Sequence, residues 1–206
     1  MVKKSPESAS RRRTRVDSRR ELILDAAAVE FAEVGYERAT LDRIGERVGL
    51  SKASLYYYVK GKEDLFAQAV ERFVDDVRER VDQVDAAGSD PLRRFTALVY
   101  AHLEVGTSTA HGRMLAENLH ALRHERAAVH AKRYEAIVAR ILEDAVVAGE
   151  LRRTVTRPTV KMILGVLNAV SLWFDPDGGL SFDEVAAGVV GLLLSGLTAQ
   201  DGPQDR

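Results

Sequence analysis

Apolar side chains recur every three to four residues along most of the chain, the period of an amphipathic helix. Ile23, Ala26, Ala27, Val29, Phe31 and Ala32 form the first such stripe, and Gly35 supplies its stop. Ser18 with Glu21 fits a capping box, so this helix is expected over about 18–34. Leu41, Ile44 and Val48 turn inward on a short helix of about 41–48, with Thr40 as its N-cap. Gly49 breaks that helix, and Ser51 caps a second short one over about 52–58. A loop through Lys60-Gly61-Lys62 leads into a long helix of about 62–84. Two short helices joined by Gly49-Leu50-Ser51 read as a helix-turn-helix, whose turn prefers three or four residues with a glycine.

The pattern stays helical to the end. Asp90-Pro91 opens a helix that runs to about Val105 and ends at Gly106. Further helices are expected over about 109–122, 125–148 (closed by Gly149), 158–174 (opened by Pro158) and 182–197. Asp175–Gly179 is a turn cluster, and Ser181 with Glu184 is a capping box. Neither a strand pattern nor an internal repeat is present. The fold class is therefore all-α with about nine helices. The divisions expected are a basic arm over 1–16, a helix-turn-helix domain over 17–62, a larger helical domain over 63–198 and a tail over 199–206.

Composition narrows the class. Of 206 residues, 46% are apolar and 30% charged, which is globular. There is no cysteine, so disulfides and thiol chemistry are excluded and a reducing cytoplasm fits. The longest apolar run, Val189–Leu194, is far short of the roughly 18 residues a membrane span needs. The basic N-terminus is followed by no apolar core of a secretory signal, so none is expected. Charge is uneven: residues 1–62 hold 14 Lys/Arg and 9 Asp/Glu, whereas residues 63–206 hold 16 and 22. Residues 1–16 alone carry six of the positive side chains and almost nothing apolar, the composition of a disordered arm. A basic end points to a polyanionic partner. No nucleophile elbow, glycine-rich phosphate loop or zinc-protease helix is present, so no enzyme and no cofactor are expected. His120 and His124 stand at i, i+4, but no carboxylate or cysteine motif supports them, and no metal site is expected.

Ala27, Phe31, Gly35, Thr40, Ile44, Gly49, Leu50, Ser51, Leu55, Tyr56, Tyr57, Lys62 and Leu65 fall at the spacing of the N-terminal domain of TetR-type transcriptional regulators. The stretch GLSKASLYYYVKGKEDL resembles that family's helix-turn-helix signature over its whole length, within a match of about 45 residues. Two positions depart from the pattern: Tyr58 stands where His is frequent, and Val59 where Phe is frequent. Trp173 to Ser181 resembles a turn common in members that sense fatty-acyl or other coenzyme A thioesters.

At about 100° per residue, with Leu55 pointing inward, Ala53 and Tyr57 face nearly opposite, flanked by Lys52, Ser54 and Tyr56, while Tyr58 sits on the boundary beside Val59. The resemblance implies that this helix enters the major groove. Lys52 then reads guanine or holds a phosphate, Ala53 touches a thymine methyl and Ser54 bonds a base or a phosphate. Tyr56, Tyr57 and Tyr58 offer hydroxyls for phosphate oxygens. Ser51 and Thr40 cap helices whose free N–H groups attract phosphate. Arg43 reaches the backbone or a base edge, or is simply solvated. Lys62 binds phosphate by resemblance, and the arm Arg11–Arg15 lies along the backbone or in a minor groove, or is only solvated.

The helices over about 158–174 and 182–197 are apolar on most of their circumference and need cover from several sides. The resemblance implies that they pair with their copies in a homodimer that binds a palindromic operator on double-stranded DNA. It also implies an effector pocket inside the helices between 91 and 174. His102, Asn118, His120, Tyr134, Asn168 and Trp173 are the candidate lining, although each residue type also suits a satisfied core position. A coenzyme A effector would need several cations near its phosphates. Lys161 stands near the start of its helix, with Arg113, Arg123 and Arg126 elsewhere, so a small hydrophobic effector is at least as well supported. The expectation is thus a cytoplasmic, homodimeric repressor released by an effector. The alternative is an all-α adaptor that binds protein.

Overall fold

A computed structural model describes residues 6–85, 90–151 and 156–197. Within them lie nine α-helices: α1 (Pro6–Val34), α2 (Leu41–Val48), α3 (Lys52–Leu55), α4 (Lys62–Asp85), α5 (Pro91–Ser108), α6 (Ala110–Glu117), α7 (Glu125–Val147), α8 (Arg157–Trp173) and α9 (Phe182–Leu197). A short 3₁₀ helix, Leu119–Arg123, joins α6 to α7. The expected all-α class with about nine helices holds.

Three boundaries differ from the sequence reading, each for a physical reason. Helix α1 starts at Pro6, not near residue 18, so Pro6–Val16 of the expected disordered arm is helical. No Gly or Pro interrupts Glu7–Val34, arginine is a good helix former, and Pro at the first position removes no needed N–H. Ser18 and Glu21 are therefore interior to a helix rather than its cap. Helix α3 is four residues long, and Tyr56–Tyr58 continue it as a turn in which Tyr57 and Tyr58 donate to Ser54 O and Leu55 O. Helix α5 passes through Gly106 because that residue is a contact, not a stop: a Cβ there would run into Ser171 Oγ on α8. The corner comes at Thr109, whose Oγ1 donates to Val105 O at 2.7 Å and accepts from Gly112 N at 3.0 Å. A Cβ on Gly112 would overlap Val105 O, so glycine permits this α5–α6 corner.

The N-terminal bundle packs α1, α2, α3 and the start of α4 around Ile23, Phe31, Ile44, Leu55 and Leu65, all fully buried. The rings of Phe31, Tyr36 and Phe66 meet pairwise at 5.0–5.7 Å between centroids. Farther along, α4 contributes Phe73 and Val77 to a second set that includes Phe95, Leu103, Met114 and Leu142. Helix α4 thus belongs to both bundles, and α6 packs against α1. One continuous apolar core joins the two parts.

Candidate nucleic-acid interface and effector cavity

The helix-turn-helix is fixed by local chemistry. Thr40 is extended (φ −131°, ψ 152°) and its hydroxyl accepts from Arg43 N at 3.3 Å, which caps α2. Gly49 ends α2 with φ 66°, a left-handed conformation that glycine adopts without a Cβ penalty. Ser51 caps α3, its Oγ accepting from Ser54 N at 3.2 Å. Gly45 was not singled out by the sequence pattern, yet a Cβ there would collide with the Leu50 carbonyl, so the turn can fold back on α2 only over glycine. Leu55 is fully buried and Val59 is 5% exposed; these two anchor the segment.

Thr40, Arg43, Ser51, Lys52, Ala53, Ser54, Tyr56 and Tyr57 are all exposed. Tyr58 is half-buried and its ring meets Tyr57 edge-on at 5.1 Å, the boundary position that the angular count gives it. Three of the cations are tied to protein partners. Lys52 Nζ lies 3.1 Å from Asp42 Oδ2, and the hydrogen bond and charge of Asp42 raise its pKa, so it stays an ammonium. Arg43 Nε lies 2.6 Å from Glu30 Oε1, although its side chain is half exposed. Lys62 departs most from expectation: its ammonium donates to Tyr36 O (2.8 Å) and Glu37 O (3.2 Å) and sits 4.5 Å over the Tyr36 ring. It clamps the α1–α2 loop to the start of α4.

A cavity of about 290 Å³ lies in the second part of the molecule. Val70, Phe73 and Val74 of α4 form one wall, and Leu115, Leu119 and Leu122 another. His102 from α5, Tyr134 from α7 and Asn168 from α8, three of the six candidate lining residues, contribute polar atoms to it. His102 Nδ1 and the Tyr134 hydroxyl are 2.8 Å apart, and the Phe73 ring stands nearly perpendicular to both rings. Burial lowers the His102 pKa to about 3 against a smaller opposing effect of the Asn168 side chain, so the imidazole is neutral at physiological pH. Burial pushes the Tyr134 pKa up, so its hydroxyl keeps its proton. At the rim, Lys161 Nζ pairs with Glu135 Oε1 at 2.8 Å.

The other three expected lining residues lie elsewhere. Asn118 is fully buried but lines no part of this cavity; its Oδ1 accepts from Tyr36 N at 2.6 Å, and its Nδ2 donates to Phe31 O at 2.9 Å and Met114 O at 2.8 Å. It is a tie between α6 and the end of α1. His120 is exposed on the 3₁₀ helix. His124 packs on Tyr36 at 4.7 Å, and the tighter 3₁₀ winding breaks the i, i+4 relation of the two histidines. Trp173 is 55% exposed at the end of α8. The described residues include no cluster of three or more metal-ligating side chains, and none of their helices is long and apolar enough to cross a membrane. Glu135 was missed because its partner stands 26 positions away on another helix.

An exposed helix-turn-helix carried on an all-α body with an internal cavity defines a helix-turn-helix regulator class. A family model described as the C-terminal domain of tetracyclin repressor-like proteins matches residues 88–197, and one described as bacterial regulatory proteins of the tetR family matches residues 23–69. The chain belongs to the TetR family of transcriptional regulators. It is 26% identical over 192 residues to the transcriptional repressor KstR2 of Mycolicibacterium smegmatis, covering 90% of this chain and 93% of that one. It is 33% identical over 118 residues to the transcriptional activator FasR of the same organism, covering 56% and 54%. Among solved structures, AibR in complex with isovaleryl coenzyme A and operator DNA superposes with a TM-score of 0.72 at 25% identity, covering 85% of this chain and 98% of AibR. The family and these relatives are regulators, not enzymes, in line with the missing catalytic motifs, and the adaptor alternative is set aside.

Proposed function

We propose that this chain is a homodimeric repressor that binds a palindromic operator and is released by a small, mostly hydrophobic effector. The observation that carries the DNA reading is the face from Ser51 to Tyr57. Every polar side chain on it is exposed, and its only inward anchor is Leu55. Lys52 on that face can exchange Asp42 for a phosphate or a guanine edge. Selection of bound DNA from a random pool, followed by binding at several salt concentrations, tests it; retention of no sequence at low salt would sink it. Tyr57→Phe is expected to weaken operator binding by about fivefold to tenfold while leaving the melting temperature unchanged, since its hydroxyl bonds nothing among the described residues.

The dimer reading is supported by the outer face of α8 and α9. Met162, Leu172, Trp173 and Leu192 are more than half exposed there. A Cβ on Gly188, Gly191 or Gly196 would meet nothing within 4 Å, so another helix can approach closely. A two-fold pairing of these helices would set two α3 helices about 34–36 Å apart, one turn of DNA. Sedimentation at micromolar concentration is expected to give twice the chain mass, and Leu192→Glu to shift it to the monomer. A wild-type monomer would refute the pairing.

Release follows from shared walls. Helix α4 lines the cavity through Val70, Phe73 and Val74 and packs the helix-turn-helix through Leu65 and Phe66. An effector that prefers a displaced α4 shifts the population away from the operator-competent state. A coenzyme A thioester is a second reading of the effector. Arg78, Arg94 and Arg140 line a neighbouring groove of about 290 Å³ that meets the first cavity at Tyr134, and AibR was solved with such a thioester. A cytoplasmic location accompanies either reading.

A further inference from the structure

The polar atoms of the cavity converge on His102, which is 1% exposed. Its Nδ1 meets the Tyr134 hydroxyl; its Nε2 makes no well-formed hydrogen bond, although the Asn168 side chain lies near enough to the ring to raise its pKa against the larger effect of burial. The tautomer follows from a count of unpaired groups. If Nδ1–H donated to the tyrosine oxygen, the tyrosine O–H and the Nε2 lone pair would both stay buried and unpaired. If the tyrosine O–H donates to Nδ1, only the Nε2–H is left. Unpaired buried polar groups are costly, so the second arrangement prevails. Burial keeps the ring neutral, so it carries a single N–H whichever nitrogen holds it. The cavity therefore holds the His102 Nε2–H as a buried neutral donor among apolar walls, with the Asn168 amide in the same lining.

We propose that the cavity binds an uncharged, mostly apolar molecule by one acceptor oxygen, a ketone, ester or thioester carbonyl, that takes the hydrogen bond of His102 Nε2–H. This rests on the reading of the cavity as the effector site. Its walls solvate the hydrocarbon part. A carboxylate is disfavoured at this end, because a neutral imidazole offers no counter-charge. The cation in the lining, Lys161, sits at the rim and is paired with Glu135. Tyr134 acts as a positioning residue: its hydroxyl holds the proton of His102 on the nitrogen away from it.

The test uses the full chain and four probes of matched length: 2-decanone, S-ethyl thiooctanoate, decanoate and decane, each followed by melting-temperature shift and titration. The ketone or the thioester is expected to bind about tenfold more tightly than decane, and decanoate no better than decane. A preference for the ketone names a free carbonyl compound, and a preference for the thioester an acyl thioester. In His102→Leu that tenfold preference should vanish, and in Tyr134→Phe it should shrink while decane binding holds. Nitrogen chemical shifts of His102 in the wild-type protein should show the Nε2–H tautomer, a readout that needs no variant. A resting Nδ1–H tautomer, decanoate binding as tightly as the ketone, or failure of all four probes overturns the proposal. Operator binding is measured in parallel. Protein that holds DNA but ignores the probes leaves the regulator standing without this effector class, whereas probe selectivity without DNA binding sinks the regulator reading alone.

Discussion

Glu30→Ala is expected to destabilise the N-terminal bundle by about 3 kcal/mol, the low end for removal of one partner from a buried charge pair. The Glu30 side chain is 1% exposed, yet it meets Arg43 Nε at 2.6 Å and Arg47 Nη2 at 2.8 Å. Arg47 also pairs with Glu33, and the hydrogen bonds of Glu30 and Glu33 raise its pKa. One carboxylate on α1 thus gathers two guanidinium groups spaced one turn apart on α2, which sets the angle at which α2 and α3 leave α1. Both arginines reach water, with side chains 52% and 30% exposed, so hydration moderates their loss of a partner. Glu30→Gln keeps the shape but turns an amide toward two cations and should recover less than half of the stability. Glu30→Met fills the volume without a dipole and should recover more. Urea unfolding of the three variants, with operator affinity in parallel, checks the order. A loss below about 1 kcal/mol for Glu30→Ala would mean that apolar packing alone sets the α1–α2 angle.

The same residues mark the limit of what the sequence discloses. The helix-turn-helix was legible because its signals are local: Thr40 and Ser51 cap the residues that follow them, Gly49 takes the left-handed conformation, and Leu55 with Val59 gives the inward direction. The facing of the three tyrosines followed from that one direction. Interactions across the fold left no such trace. Lys62 reads as a phosphate ligand until Tyr36, 26 positions earlier, claims its ammonium. Arg43 reads as a solvated or DNA-facing cation until Glu30 is seen beneath it. Gly106 reads as a helix stop and Gly112 as an ordinary helix position, although close approach to Ser171 and to the Val105 carbonyl is what requires glycine at each. In the cavity, His102, Tyr134 and Asn168 were picked out as polar residues in apolar helices. That rule cannot separate a lining residue from a satisfied tie, so it picked Asn118 as well.

Asn118→Ala is expected to cost about 2–3 kcal/mol of stability and to loosen the link between cavity and DNA-binding domain. The amide bridges groups 82 and 87 positions away in the chain. Its oxygen is the acceptor for the Tyr36 N–H, which alanine would leave buried and unpaired. Phe31 O would keep its bond from Gly35 N at 3.0 Å, so the Tyr36 group dominates the loss. Asn118→Asp separates geometry from charge. One carboxylate oxygen can still accept from Tyr36 N, but the other faces the carbonyl oxygens of Phe31 and Met114 and favours the protonated acid. The folded-state pKa of that Asp is then raised above its unfolded value of about 3.9. Its stability is accordingly retained below about pH 4 and lost as pH rises through the folded value. Asn118→Asp should therefore fall well below wild type at pH 7 and approach it on acidification, whereas Asn118→Ala should show no such recovery. The functional readout is separate. Leu115, one turn before Asn118 on α6, lines the cavity, and Asn118 carries that helix onto α1. Both variants should keep effector binding within about threefold, yet need several times more effector to release operator, because the displaced and operator-competent states become less distinct. Undiminished release in a folded Asn118→Ala protein would move the coupling entirely onto α4.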